Sequence, residues 1–211
     1  MTVYDWRDKQ QPGGPDPKCG RIVRGKLEIR APTQIDSIAL HQTGCWLGVS
    51  TMQRLSAGGD EALARRRRAM RIHAHATTLR DGSTVVAYPL RAYVWHGNGA
   101  NERSIGLEVE GLYTGHAGGS NDEPTQAVVD GARAALAWLV DAAKAEGVTI
   151  RHVLAHRQYS ASRRADPGWS LWQGVALWAE TALGLTTLPD VTDRDGKPIP
   201  KAWDARQVEP Y

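Results

Sequence analysis

The sequence predicts an α/β fold: a single domain with a central mixed β-sheet flanked by α-helices on both faces. Three observations predict it. The chain has 211 residues, of which 41% are hydrophobic, enough for one sizeable core. Segments alternating with a period of two are interspersed with segments of helical period. One pair of strand-like runs is joined by a short turn, "RDGS", which makes a hairpin and therefore an antiparallel pair within the sheet.

In chain order, residues 1–20 hold Pro12, Gly13, Gly14, Pro15 and Pro17, and read as an arm outside the core. "IDSIAL", from Ile35 to Leu40, is the first buried strand and ends at His41. Ser50 can cap a helix that Gly58 and Gly59 interrupt and Asp60 restarts, running to about Met70. "IHAHATTL" alternates, placing His73 and His75 on one strand face, and "TVVAYPL" completes the hairpin. "SIGLEVEG", Ser104 to Gly111, is a further alternating strand. Val128, Ala132, Ala135, Leu136, Leu139 and Ala143 lie at helical spacing on a long helix with Pro124 in its first turn and Gly147 at its end. "TIRHVLAH" is the last strand, and a helix from about Ser170 to Leu183 stops at Gly184. The expected organisation is an N-terminal arm over 1–30, the folded domain over 31–185 and an extended, Pro-containing tail over 186–211.

Composition narrows the partners. The formal charge is +3 and the pI about 9.0, which mildly favours a polyanion: nucleic acid, a membrane surface or cell wall. The densest basic run, Arg65 to Arg68, falls on a helix and points all round it, so it reads as a solvated helix end rather than a nucleic-acid stripe. Eight Trp, six Tyr and no Phe suit a carbohydrate or peptide groove, although a GC-rich genome gives the same bias. Two cysteines, Cys19 and Cys45, make no disulfide framework. "MTVYDWRDKQQPGG" carries no apolar segment of signal-peptide type, and no run is long enough to span a membrane. The expectation is a monomer made in the cytoplasm without a signal peptide, with no nucleic-acid partner and no integral membrane segment.

The polar residues gather at the strand ends. His41 ends one strand and His156 another, and Asp166 lies ten residues beyond His156 on a loop closed by Pro167-Gly168. Two His and one carboxylate suit zinc with a fourth position open. A strand-end His is also commonly a half-buried polar residue, and spacing leaves both readings open.

"IALHQTG", "YVWHGNG", "SIGLEVEG" and "AHRQYSASRRADPGW" occur in that order. Together they resemble the zinc-dependent N-acetylmuramoyl-L-alanine amidases of the type 2 family, which share a fold with peptidoglycan recognition proteins and phage lysozyme-type amidases. The resemblance runs from about Ile35 to Leu183. It implies that His41, His156 and Asp166 bind Zn2+ and that Glu108, the first Glu of "SIGLEVEG", is the general base. Glu110, two residues on, points to the same face. The family often has Lys two residues before the third ligand. Arg164 stands there, offering charge for the oxyanion but no proton, with Arg163 as the fallback. His75 matches a position on a groove-lining strand and is expected to face substrate or to be structural, and His96 matches a segment beside the site and is expected to contact substrate, to support the site or to be structural. Trp95 and Asn101 are further groove candidates. Cys45 in "HQTGC" is expected to be a small packed thiol, while His116 and His152 fall to the surface or to packing.

The function implied by the resemblance is hydrolysis of the amide between N-acetylmuramic acid and L-alanine. Three settings fit a leaderless basic domain: a phage endolysin released to the wall by a separate pore, a cytoplasmic muropeptide-recycling amidase, or a delivered antibacterial effector. A peptidoglycan-binding module that does not cut is the competing class. Retention of all three ligand candidates together with Glu108 favours the enzyme.

Overall fold

A computed structural model describes residues 2–8, 17–113, 123–160, 162–163 and 166–188. The strands are β1 (Val3–Asp5), β2 (Ile22–Val23), β3 (Lys26–Leu27), β4 (Ser37–Gln42), β5 (Ala76–Thr78), β6 (Thr84–Val86), β7 (Ser104–Val109) and β8 (His152–Ala155). The helices are α1 (Thr51–Ser56), α2 (Glu61–Ala69), α3 (Gln126–Ala145), α4 (Trp169–Leu171) and α5 (Trp178–Leu183), the last two joined by a π-helical segment (Trp172–Leu177). Six strands form one sheet in the order β1-β6-β5-β7-β4-β8, with β2 and β3 as a separate hairpin. Only β5 and β6 pair antiparallel in the main sheet, so it is mixed because of the one hairpin that the "RDGS" turn encodes.

Strand alternation decides what each face carries. Ile38 and Leu40, then Ile105, Leu107 and Val109, then Val153 and Ala155 all pack into one apolar cluster. That cluster is completed by Val128, Ala132, Ala135, Leu136, Leu139 and Ala143 of α3 and by residues of the C-terminal helix. Truncating one such fully buried leucine to alanine typically costs about 2–5 kcal/mol. The intervening residues, among them Ala39, His41, Gly106, Glu108 and Leu154, therefore face the other way. At the far end of the sheet Val86 joins the α3 side, whereas Val85 joins a second cluster with Ala69 and Met70 at the end of α2. Helices thus cover both faces.

Local signals agree with the elements. Ser50 caps α1 by accepting from the Gln53 amide, Asp60 caps α2 through Leu63, and Gly184 ends the C-terminal helix in the left-handed region. Four sequence expectations need correction. Val3–Asp5 is an edge strand paired with β6, and Trp6 and Cys19 are buried, so the segment read as an arm contributes to sheet and core. Three residues are too few for a periodic signal, and the Pro/Gly cluster that dominates the reading (9–16) lies outside the described residues. Pro124 precedes the Thr125 N-cap instead of entering α3. His73 and His75 lie on bends before β5, with His73 exposed and His75 buried, so they share no strand face. The arginine run is half-buried: Arg65 pairs with Glu61, Arg66 stacks over Tyr4, and Arg67 and Arg68 donate to the Ser56 and Gly48 carbonyls. The Arg65–Glu61 pair lies within α2, and the other three contacts fasten the helix to its surroundings. Among the described residues no helix is long and apolar enough to cross a membrane. Residues 189–211, most of the expected tail, lie outside the described residues, as do His116 and Arg164.

Candidate metal centre

The site forms at the C-terminal ends of β4, β7 and β8, on the face away from α3. The parallel ladder sets His41 beside Glu108. β8 ends at Ala155, and His156 opens a 3-10 turn, which brings its ring to 4.9 Å from that of His41, centroid to centroid. Asp166 returns to this point by backbone bonding: the Arg157 N–H donates to the Asp166 carbonyl at 3.0 Å, and the Gln42 N–H donates to Asp166 Oδ1 at 3.0 Å. Gln42 Oε1 then accepts from the amides of Tyr113 and Gly168, locking the turn just past the acid. A Cβ at position 168 would sit 1.6 Å from the Tyr113 carbonyl oxygen, so the close approach requires glycine.

His41, His156 and Asp166 each offer a ligand atom, all within 4.8 Å of one another. His156 Nδ1 lies 2.9 Å from Asp166 Oδ2, and His41 Nδ1 lies 3.5 Å from Asp166 Oδ1. A tetrahedral zinc with bonds of about 2.0–2.2 Å separates its ligand atoms by about 3.3 Å, close to both distances. His41 is fully buried and its Nδ1 has no hydrogen-bond partner among the described residues. An orphaned buried nitrogen aimed at a carboxylate and a second imidazole is what a bound cation resolves, so the residues fit zinc. The electrostatics agree. Burial opposes charge on His41, but Asp166 and then Glu108 outweigh it and raise its pKa. Burial also opposes charge on Asp166, yet His41 and His156 hold its carboxyl well below the usual range. His156 is lowered, mainly by burial.

The two glutamates of β7 separate by their partners. Glu110 is buried, and its two oxygens accept from the Leu47 and Arg80 amides at 2.8 and 2.9 Å, so it ties two loops together. Glu108 keeps one buried oxygen, Oε2, without a partner among the described residues. Burial pushes its carboxyl up to about 8, opposed by His41 and reinforced by Asp166. Such a carboxyl can both take and return a proton near neutral pH.

The remaining candidates divide. His75 is fully buried; its Nδ1 accepts from the Gly106 amide and its Nε2 bonds the Ala92 carbonyl. Burial, helped by the Arg30 charge, pushes it down to about 3, so it is a neutral structural histidine and not a substrate contact. His96 is 6% exposed and bonded to His41 Nε2 at 3.1 Å, so it lies beneath the candidate ligand His41 and gives the cleft only an edge. Gly106 makes room for it: a Cβ there would come within 2.7 Å of the His96 ring. Asn101 is buried, and its Oδ1 accepts from the His96 and Gly97 amides, shaping the loop. Trp95 is 44% exposed at the lip of a cleft of about 560 Å³, which is also lined by His96, Asn98, Asn101, His156 and Arg163. Arg163, the fallback cation, therefore reaches the cleft. Cys45 is exposed rather than packed and belongs to no ligand group among the described residues. Sequence reasoning passed over Asn98, whose Oδ1 lies 2.9 Å from His156 Nε2, and Gln42; an Asn set between two glycines was the available signal for the first.

The sequence matches the N-acetylmuramoyl-L-alanine amidase family over residues 31–169. No curated protein matches it in sequence. Several solved structures share its fold. The complex of tracheal cytotoxin with the ectodomains of peptidoglycan recognition proteins LCa and LCx matches with a TM-score of 0.54 at 17% identity, covering 86% of this chain and 96% of that one. Bumblebee PGRP-SA matches with a TM-score of 0.54 at 13% identity, covering 94% and 99%. Drosophila PGRP-LB matches with a TM-score of 0.51 at 17% identity, covering 89% and 98%.

Proposed function

Since the chain belongs to the N-acetylmuramoyl-L-alanine amidase family, we propose that it is a zinc-dependent hydrolase of the amide between the lactyl group of N-acetylmuramic acid and L-alanine. The observation that carries this reading is the unpartnered His41 Nδ1, facing Asp166 and His156, with the raised carboxyl of Glu108 beside it on the next strand. Zinc held by His41, His156 and Asp166 would supply Lewis acidity to the carbonyl and to the attacking water. Glu108 takes the proton that water releases as its oxygen bonds the amide carbon, and gives it to the nitrogen as the C–N bond breaks. Arg163 lines the cleft and, with Arg164, supplies positive charge for the oxygen that becomes anionic. Trp95 offers an exposed aromatic face to the saccharide or peptide.

A peptidoglycan recognition module that does not cut has the same fold, and the buried Glu108 oxygen, which has no structural partner among the described residues, favours the enzyme over it. Incubating purified sacculi with the zinc-supplied protein and analysing the products by mass spectrometry tests the choice. Release of peptides beginning with L-alanine is expected; tight binding without release overturns the amidase reading. Within this reading we propose an endolysin-like action on the intact cell wall. Turnover of intact sacculi at least as fast as of soluble muropeptides is the expected result, and a strong preference for soluble muropeptides would point to recycling instead.

A further inference from the structure

We propose that the loop from His96 to Asn98 is a clamp that selects the metal-binding nitrogen of both histidines, with His96 and Asn98 as positioning residues. The proposal rests on the metal reading above. It comes from a chain of donors and acceptors that leaves each imidazole one choice. Ser104 Oγ donates to the Ala100 carbonyl at 2.6 Å, so toward His96 it can only accept, and the Ser104 carbonyl can do nothing else. His96 Nε2 lies 3.3 Å from that carbonyl and 3.5 Å from that hydroxyl, so Nε2 carries the proton. His96 Nδ1 is then an acceptor, and the His41 Nε2 facing it at 3.1 Å must be the donor. In the neutral imidazole His41 Nδ1 is left as the lone pair, the same atom that is buried without a partner among the described residues. On the other side, Asn98 Oδ1 accepts from His156 Nε2 at 2.9 Å, leaving His156 Nδ1 bare toward Asp166 Oδ2. Two neighbouring positions of one loop thus turn both Nδ1 lone pairs toward the carboxylate.

The loop is built to hold that pose. Arg30, fully buried, donates to the Ser104 and Asn101 carbonyls at 2.7 Å each, anchoring the carbonyl at the start of the relay. Asn101 Oδ1 binds the His96 and Gly97 amides. Asn98 adopts φ +52, in the left-handed region where asparagine is tolerated and glycine is at ease. That conformation supplies the test. Asn98→Gly suits the backbone while deleting the acceptor, so a purely structural role predicts no loss.

The assay is Zn2+ affinity by competition with a chromophoric chelator, paired with the visible spectrum of the Co2+-substituted protein and the unfolding midpoint of the metal-free protein. Losing a partner that orients a ligating histidine typically weakens metal binding by about 10–100-fold. Asn98→Gly is expected to show such a loss, with an altered Co2+ spectrum and an unchanged metal-free midpoint. Asn98→Asp, which keeps an acceptor, should restore wild-type affinity or better. His96→Phe should lose zinc affinity similarly, and His96→Gln, whose carbonyl can accept from His41, should recover part of it. If His96→Phe does not fold, the Asn98 pair decides alone. Wild-type affinity and spectrum in Asn98→Gly would overturn the clamp while leaving the metal site standing; a wild-type protein that binds no Zn2+ would overturn both.

Discussion

Replacing Glu108 by glutamine should leave opposite marks on stability and on turnover, and the structure sets the size of the first. The carboxyl stands at about 8 in the folded, metal-free protein against a reference of 4.5. A carboxyl whose pKa is raised by folding contributes stability that is fully present below about 4.5 and is lost as pH rises through about 8. At about 1.4 kcal/mol per tenfold change in proton affinity, the full displacement is worth on the order of 4–5 kcal/mol. The opposing attraction of His41 is already contained in that displacement, and since a small part of the change falls outside the range, a loss of about 3–4 kcal/mol is expected between pH 5 and 8.5. The assay is urea unfolding of metal-free wild type and Glu108→Gln across that range, where the difference between the two curves reports Glu108 together with its coupling to His41. The variant should gain on the wild type as pH rises. In the zinc-supplied sacculus assay the same variant should keep its metal and lose roughly 10²-fold or more in turnover. Glu110→Gln is the control: it should destabilise by about 1–3 kcal/mol, since both its oxygens accept backbone amides, and affect turnover far less. Parallel pH curves would refute the raised carboxyl, loss of zinc would make Glu108 a ligand, and undiminished turnover would remove it as the base.

The same geometry sets the outcome of three other experiments. About one zinc per chain is expected by elemental analysis, and His41→Ala and Asp166→Ala should each abolish both zinc and activity; full zinc in either variant would dissolve the ligand assignment. Arg163→Ala should slow turnover by on the order of 10²-fold if it supplies the oxyanion's charge, while zinc affinity holds, and Arg164→Ala, compared in the same kinetic assay, tells which of the pair does so. Gly106→Ala would drive a methyl group to within 3 Å of the His96 ring; a stability loss of about 1–3 kcal/mol in denaturant, with weaker zinc binding, is the expected result.

The legibility of the sequence differed by element. β4, β7 and α3 announce themselves because each buries one face along its length: "SIGLEV" alternates, and Val128 to Ala143 recurs at the helical period. β1 carries no such signal because three residues at a sheet edge hold too little periodicity, and its placement depends on β6, some eighty residues away. At the site, His41, His156 and Asp166 were readable through ordered motifs, and the structure brings them together. The roles of His75, His96 and Asn101 were not, because a histidine in a short polar segment looks the same whether it faces a cleft or lies beneath another imidazole. Glu108 and Glu110 share a face and a residue type, and only the amides of Leu47 and Arg80, brought in from distant loops, distinguish them.

The pairing of His41 with Glu108 across two parallel strands has a further consequence. The spacing between the proposed ligand His41 and the proposed base Glu108 is fixed by a ladder of inter-strand hydrogen bonds, as two teeth of meshed gears are fixed by their wheels. Insertions in the turns between β4 and β7 can therefore be absorbed without changing that spacing. Removing a single residue within β4 ahead of His41 does the reverse: it moves the strand by one tooth and swings the imidazole through the sheet into the apolar layer beneath α3. Such a chain could keep most of its core and still lose the proposed reaction entirely, which places the tolerance of this fold for change in its turns and its intolerance in the phase of two strands.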